Sequence, residues 1–550
     1  MRDLRRRPKW MSGFCSFLAG LALFCGLAES RKVAGTAAGD CAELTSLFKD
    51  FREFQKRGDA GEALADLDTA MKRKYRELKT FQGRLAAIDP RHWPVSEQID
   101  YHLVRAEMNG LEFELRVLRP WARNPAFYGG RRGWLGSLPS LPLDGGQIAE
   151  FRTRLQAIPE YYEQAKKNLG GGNIADIPGD LAILAIHHLE RNDDSFPHFL
   201  TQLAEHHPDL VPDAQRAQAA IGGYLSWLKE NRSRMTASAG VGIENYNWLL
   251  KNVYLFPYTW AECRAIVELE DHRVITFQRL EENRNRKVPP LKPVASQEEY
   301  RRSVREALQH IMKFIRDEGI FTVQDYLVVD DYLEDRMRAT GRPWPEKHDY
   351  FFNFSHREPV MEETHEMVGH QFDLLRVLRD DRPIRGNREH EGPYDISCAR
   401  LEGWAFALEE LLMHAGYLDG RSPHGREITY EQAAFRTVRA LSDLYMHKGD
   451  WSLTDAMEYC VANAPHGELL DDSPHLWNEM ETTLLHVGWH MQMVVGKVHF
   501  MKLFRDRSQQ LGDAFNLKAF MDEFLAAGVI PLSLIRWEMT GYDDEIKKLW

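Results

Sequence analysis

Residues 364–370 read THEMVGH. Two histidines and a glutamate lie together as they do in a zinc-peptidase helix. The familiar signature is H-E-x-x-H, but here the second histidine comes one residue late, at His370. In a regular α-helix, residues four apart differ by about 40° around the axis and can share an ion; residues five apart differ by about 140° and cannot. A single-turn π-bulge absorbs one residue and restores the facing. Gly369 precedes His370 and tolerates irregular backbone. The spacing therefore predicts a bulge between Met367 and Gly369 that turns His370 toward His365.

On that reading His365 and His370 hold one zinc ion, and Glu366 points off the metal axis as a general base for the bound water. A catalytic zinc needs a third protein ligand. The stretch ARLEGWAFALEELL, residues 399–412, offers Glu402 and Glu409, seven apart on one helix face. Glu402 follows His370 by 32 residues, enough for a loop and a returning helix. The competing reading is a chance cluster. The chain holds 22 histidines, and the pairs His187/His188 and His206/His207, which lack framing carboxylates, read as solvated helix faces.

The rest of the chain sets the context. With 550 residues, 43% of them hydrophobic, it can bury a large core. The basic start RDLRRRPKW precedes MSGFCSFLAGLALFCGLA, the pattern of a secretory signal peptide over 1–28. An exported protein, periplasmic or secreted, is expected; a retained N-terminal membrane anchor is the alternative. A lipoprotein-type cut before Cys25 is disfavoured by bulky Phe24. The net charge of −12 becomes more negative once that segment is removed, which argues against nucleic acid as a partner. Cys41, Cys263, Cys398 and Cys460 remain, either paired as disulfides or buried as free thiols.

Helical periodicity dominates. It covers 42–117, then 146–168, 176–191, 195–206, 212–231 and 240–252, and Thr259 caps a long helix after that. The Pro-rich 288–300 suggests a boundary between a helical region, 29–287, and a zinc-binding region, 288–550, unless the two form one continuous fold. Strand signals appear only at YLVVDDYL (326–333) and YFFNFS (350–355), with Phe352 and Phe354 on one strand face. Pro359 then starts the metal helix, and further helices are expected at 394–416, 430–448, 453–463, 475–507 and 516–527. The expected class is mainly α, with a small β-sheet beside the active-site helix.

THEMVGH resembles the H-E-x-x-G-H helix of the dipeptidyl-peptidase III family of zinc peptidases. A wider resemblance is to the bacterial family called domain of unknown function 885. LEGWAFALEE, RTVRALSDLYMHKGDWSLTDAMEY and GDAFNLKAFMDEFLAAGVIPLSLI match its ordered blocks. The resemblance implies a large helical, zincin-like metallopeptidase fold. It implies His365, His370 and Glu402 as zinc ligands, Glu366 as base, and Glu409 as the carboxylate that orients a ligand histidine. Arg439, Asp443 and His447 recur every fourth residue and line one helix face. They are expected in the cleft, with His447 donating to the oxyanion; an ion-paired surface stripe is the alternative. Phe406 replaces a family tyrosine, and VGWHMQM (487–493) lacks another. His486 and His490, one turn apart, are the substitute donors, or they are simply packed.

The expected function is zinc-dependent hydrolysis of peptides or other small amides. A non-catalytic metal- or peptide-binding protein and a zinc hydrolase of non-peptide amides or esters are the alternatives. Arg382, Arg385 and Arg388, in the loop after the metal helix, either hold a substrate carboxylate or are solvated charges.

Overall fold

The computed structural model describes residues 40–56, 67–129, 138–193, 195–339, 350–386 and 393–550. The expected signal segment lies outside them. Among the described residues the chain is helical, and its β pairing is the isolated bridge Pro178–Ala237. No helix among them is long and apolar enough to cross a membrane. The chain divides into two compact units.

The smaller unit comprises Arg52–Phe81 and Leu111–Gly242. Helices Gly145–Asn168, Gly179–Asp193, Ser195–His206 and Val211–Asn231 supply much of its core. Asp144 and Gln147 form a reciprocal cap on the first of them. Tyr162 and Tyr224 meet in that core with ring centroids 4.8 Å apart. His207, expected on a solvated face, is buried instead, and its Nε2 accepts the Leu143 N–H at 2.8 Å.

The described residues of the larger unit fall within 40–51, Gln82–Gly110 and Ile243–Trp550, so the Pro-rich stretch at 288–300 lies inside it. Thr259 and Glu262 form the capping box that starts helix Trp260–Asn285. Neither expected strand forms: 350–355 lies in a helix and 326–333 runs from a turn into one, so there is no sheet beside the THEMVGH helix among the described residues. Val329–Ala339 is helical because Tyr332 and Arg336 both reach the Glu363 carboxylate, at 2.7 and 3.1 Å. One helical turn separates such residues by about 6 Å; in a strand they would lie about 13 Å apart. Tyr350–Arg357 is helical for a similar reason: Tyr350 and Phe354, one turn apart, meet edge to face at 4.9 Å. Short aromatic runs carry no period that separates strand from buried helix.

The expected helix at 475–507 is two helices, Pro474–Leu485 and Trp489–Leu511. The break falls at Gly488, whose φ of 82° is a left-handed value that glycine adopts without steric cost. His486 and His490 therefore belong to different elements. Cys263, Cys398 and Cys460 are buried free thiols.

Candidate metal centre

The helix that carries THEMVGH has three parts: an α-turn at Val360–Glu363, a π-helix at Thr364–Gln371, and an α-helix at Phe372–Val377. The π-helix extends over more than the expected single bulge. The Phe372 N–H reaches the Met367 carbonyl, five residues back. The rings of His365 and His370 stand perpendicular with centroids 4.6 Å apart. One ligating atom from each of His365, Glu366 and His370 lies within 4.8 Å of the others.

Gly369 does not adopt a positive φ, so backbone freedom is not what requires it. A Cβ at this position would lie 2.4 Å from the Ala405 Cβ. The missing side chain lets the π-helix press against helix Cys398–His414, which carries Glu402 and Glu409. That helix is pinned from another direction too. A Cβ on Gly403 would fall 2.6 Å from the Gly496 Cα, and one on Gly496 would fall 2.5 Å from the Ala399 carbonyl oxygen. Bare backbone at these contacts fixes where Glu402, next to Gly403, can reach.

Glu402 Oε2 lies 3.6 Å from His365 Nε2 and 3.7 Å from His370 Nε2. It is buried and makes no hydrogen bond among the described residues. Ligand atoms arranged tetrahedrally at zinc distances would stand about 3.4 Å apart. Burial opposes charge on His365, but the neighbouring Glu402 and Glu409 carboxylates outweigh it and raise its pKa to about 9. Burial likewise opposes charge on Glu402, and the two histidines outweigh it, holding its pKa at about 2. His370 is lowered, chiefly by burial. A buried anion between two imidazoles calls for a cation, and without a metal a proton on His365 supplies one.

Glu409 accepts the His365 Nδ1–H at 2.8 Å, which leaves Nε2 with its lone pair available to an ion. Arg436 grips Glu409 with both terminal nitrogens, each at 2.8 Å, and its Nη2 lies 3.4 Å from His365 Nδ1. The Arg436 guanidinium sits over the Phe406 ring, 4.9 Å from its centroid. Phe406 thus serves as an apolar shelf for Arg436, and Lys497 approaches the same ring at 4.3 Å. Arg436 was not among the residues expected at the site. It stands one turn before Arg439 on helix His424–Lys448, and the sequence pattern did not distinguish the two. We expect Arg436→Lys to weaken zinc binding by about 10- to 100-fold, since a lysine keeps the charge but loses the two-pronged grip. Competition with a chromophoric chelator measures this.

The Arg439, Asp443 and His447 stripe is buried, not solvated, and it fastens helices together. Arg439 pairs with Glu479 on helix Pro474–Leu485, and both are fully buried. Asp443 accepts the backbone N–H groups of Gly488, His490 and Met491 at 3.0, 3.0 and 3.3 Å, capping helix Trp489–Leu511. Burial raises its pKa to about 7 despite those bonds. His447 is wholly buried, with Nε2 donating to the Thr483 carbonyl at 2.8 Å, so it is not placed as an oxyanion donor. His490 is packed too, between Thr483 Oγ1 at 2.8 Å and Glu479 Oε2 at 3.1 Å. His486 pairs with Asp395 at 2.9 Å. The loop arginines are structural: Arg382 pairs with Asp380, and buried Arg385 with Asp100 and Glu538. Arg388 lies outside the described residues.

No protein with a curated description matches this chain. Two solved structures share its fold. One, described as a "putative lipoprotein of unknown function" from Shewanella oneidensis, has a TM-score of 0.67 and 16% identity, covering 91% of this chain and 100% of that one. The other, a "putative lipoprotein" from Colwellia psychrerythraea, has a TM-score of 0.65 and 14% identity, covering 92% and 99%. Residues 354–539, which contain the whole candidate centre, match the family described as bacterial protein of unknown function, DUF885.

Proposed function

We propose that this chain is an exported zinc-dependent hydrolase that cleaves peptide bonds, with a zincin-like site on its helical frame. The observation that carries the reading is the buried Glu402 oxygen, which makes no hydrogen bond among the described residues and lies 3.6 and 3.7 Å from the two histidine Nε2 atoms. That donor set of two imidazoles and one carboxylate suits zinc. His365, His370 and Glu402 would hold the ion, which would supply an acidified water, pKa about 7, and a Lewis acid for a substrate carbonyl.

The chain's own residues do the remaining work. Glu366, half-buried beside both histidines, takes a proton from the attacking water on its carboxylate and returns it to the leaving amine nitrogen. Glu409 and Arg436 keep the proton of His365 on Nδ1 and hold the ring in place. The Gly369, Gly403 and Gly496 contacts keep the ligand-bearing helices from drifting apart. The basic and then apolar N-terminal segment supports export, as do the lipoprotein descriptions of the similar structures.

Metal analysis of the purified protein, with hydrolysis of a peptide library, tests this. Chelation is expected to abolish hydrolysis and zinc to restore it. His365→Ala is expected to lose one equivalent of zinc. An undiminished zinc content in that variant would remove the centre from the account. Zinc bound at His365 without hydrolysis of peptides, other amides or esters would make the protein a metal-binding module instead.

A further inference from the structure

Away from the His365 centre, three ligating side chains from three elements converge. Glu282 stands on helix Trp260–Asn285, Glu431 on helix His424–Lys448, and His466 in the turn Pro465–Gly467. One donor atom from each lies within 4.8 Å of the other two. His466 Nε2 is 2.8 Å from Glu431 Oε1 and 3.4 Å from Glu282 Oε1. We propose that Glu282, Glu431 and His466 form a second site for a divalent transition-metal ion such as zinc, distinct from the hydrolytic centre.

Glu431 gives the strongest reason. Its residue is only 3% exposed, yet its Oε2 makes no hydrogen bond among the described residues. Arg357 Nη2 forms an ion pair with that oxygen at 3.5 Å, without the alignment of a hydrogen bond. A buried carboxylate oxygen left in that state is costly. The local charge balance points the same way. Glu282, Glu431 and Glu468 face Arg357 and Arg279, which leaves one negative charge uncompensated while His466 is neutral. A divalent ion corrects this and satisfies the carboxylates by direct ligation.

The donor chemistry selects the ion class. One imidazole with two carboxylates suits zinc and its neighbours better than magnesium or calcium, which prefer oxygen alone. Imidazole and carboxylate donors around zinc would stand about 3.4 Å apart. The His466–Glu282 distance already has that value, and the His466–Glu431 distance has to open by about 0.6 Å. The Gln278 amide and the Arg279 guanidinium each reach Glu282 at 2.8 Å and orient it. His466 is more than a third exposed, so an ion can enter from solvent and keep water in its remaining positions. Occupancy would tie the helix carrying Arg436 to the Trp260–Asn285 helix and to the turn that precedes helix Pro474–Leu485.

Zinc titration of the full chain, read by calorimetry and by elemental analysis after desalting, tests the site. Wild type is expected to bind two equivalents. His466→Asn, which accepts the left-handed backbone at this position (φ 58°) but cannot replace the imidazole, is expected to bind one. Glu431→Gln should behave likewise. His365→Ala should also bind one, and adding zinc to it should raise its Tm; His365→Ala combined with His466→Asn should show no such rise. Two equivalents in His466→Asn would overturn the proposal. So would a wild-type stoichiometry of one that His365→Ala abolishes. A single equivalent lost in His466→Asn but kept in His365→Ala would support this site and refute the hydrolytic centre, so the two readings fail separately.

Discussion

Glu366→Gln is expected to bind zinc as tightly as wild type and to hydrolyse peptides about 10²- to 10⁴-fold more slowly. Glutamine has nearly the same shape as glutamate but cannot take a proton from water, so the substitution removes the base and little else. The expectation is sharp because Glu366 has a second available role. A Glu366 oxygen lies within 4.8 Å of donor atoms on both histidines, close enough for it to be read as the third ligand. Glu402 competes for that role, and we propose it as the ligand from its environment. Glu402 Oε2 is buried, makes no hydrogen bond among the described residues and is flanked by both Nε2 atoms, whereas Glu366 is only half-buried. Zinc analysis and hydrolysis on the same variant separate the roles. Loss of zinc in Glu366→Gln would make Glu366 the ligand, and unchanged turnover would remove it from the mechanism.

The second large effect is steric. Gly369→Ala puts a methyl group 2.4 Å from the Ala405 Cβ, where carbon atoms normally rest about 3.5–4.0 Å apart. Neither partner is the end of a flexible side chain, so the π-helix or helix Cys398–His414 must move. Overpacking of this kind costs about 1–3 kcal/mol. The shift falls directly beside His370, so zinc affinity should drop along with stability. Ala405→Gly alone should cost about 1 kcal/mol through helix propensity. The double variant should recover part of the loss, because its remaining close contact is to the Ala405 Cα at 2.9 Å. Denaturant unfolding of all four proteins gives the coupling energy. Strict additivity would show that the Gly369–Ala405 contact does not set the helix spacing.

Much of the frame could be read from the sequence where its local signals agree. The capping box at Thr259 and the helices Ser195–His206 and Leu453–Asn463 follow periodicity and cap chemistry closely. The π-helix follows from the five-residue histidine spacing, a geometric argument that needs no tertiary information. What failed depended on partners distant in sequence. Tyr332 and Arg336 become helical because Glu363 holds both, and nothing within 326–333 reveals that carboxylate. The four-residue period of Arg439, Asp443 and His447 correctly gives a shared face, but not what that face meets. It meets helix Pro474–Leu485 at Glu479 and Thr483, and the start of helix Trp489–Leu511. Arg436, the residue of that helix which does touch the centre, is set apart only by the position of Glu409. Gly369 was correctly singled out for the wrong reason, since its role is close approach and not an unusual φ.

The π-helix at Thr364–Gln371 also works as a phase correction. One extra residue in an uninterrupted α-helix would rotate everything downstream by about 100°. Here the rotation is absorbed within the segment, and Asp373 still meets buried Arg400 at 2.7 Å two residues after the π-helix ends. The length of this stretch is thereby decoupled from the packing on either side. A chain shorter by one residue between His365 and His370 could close the same segment as plain α-helix and keep every later contact in register. The two histidine spacings thus become interchangeable forms of one frame, separated by a single insertion.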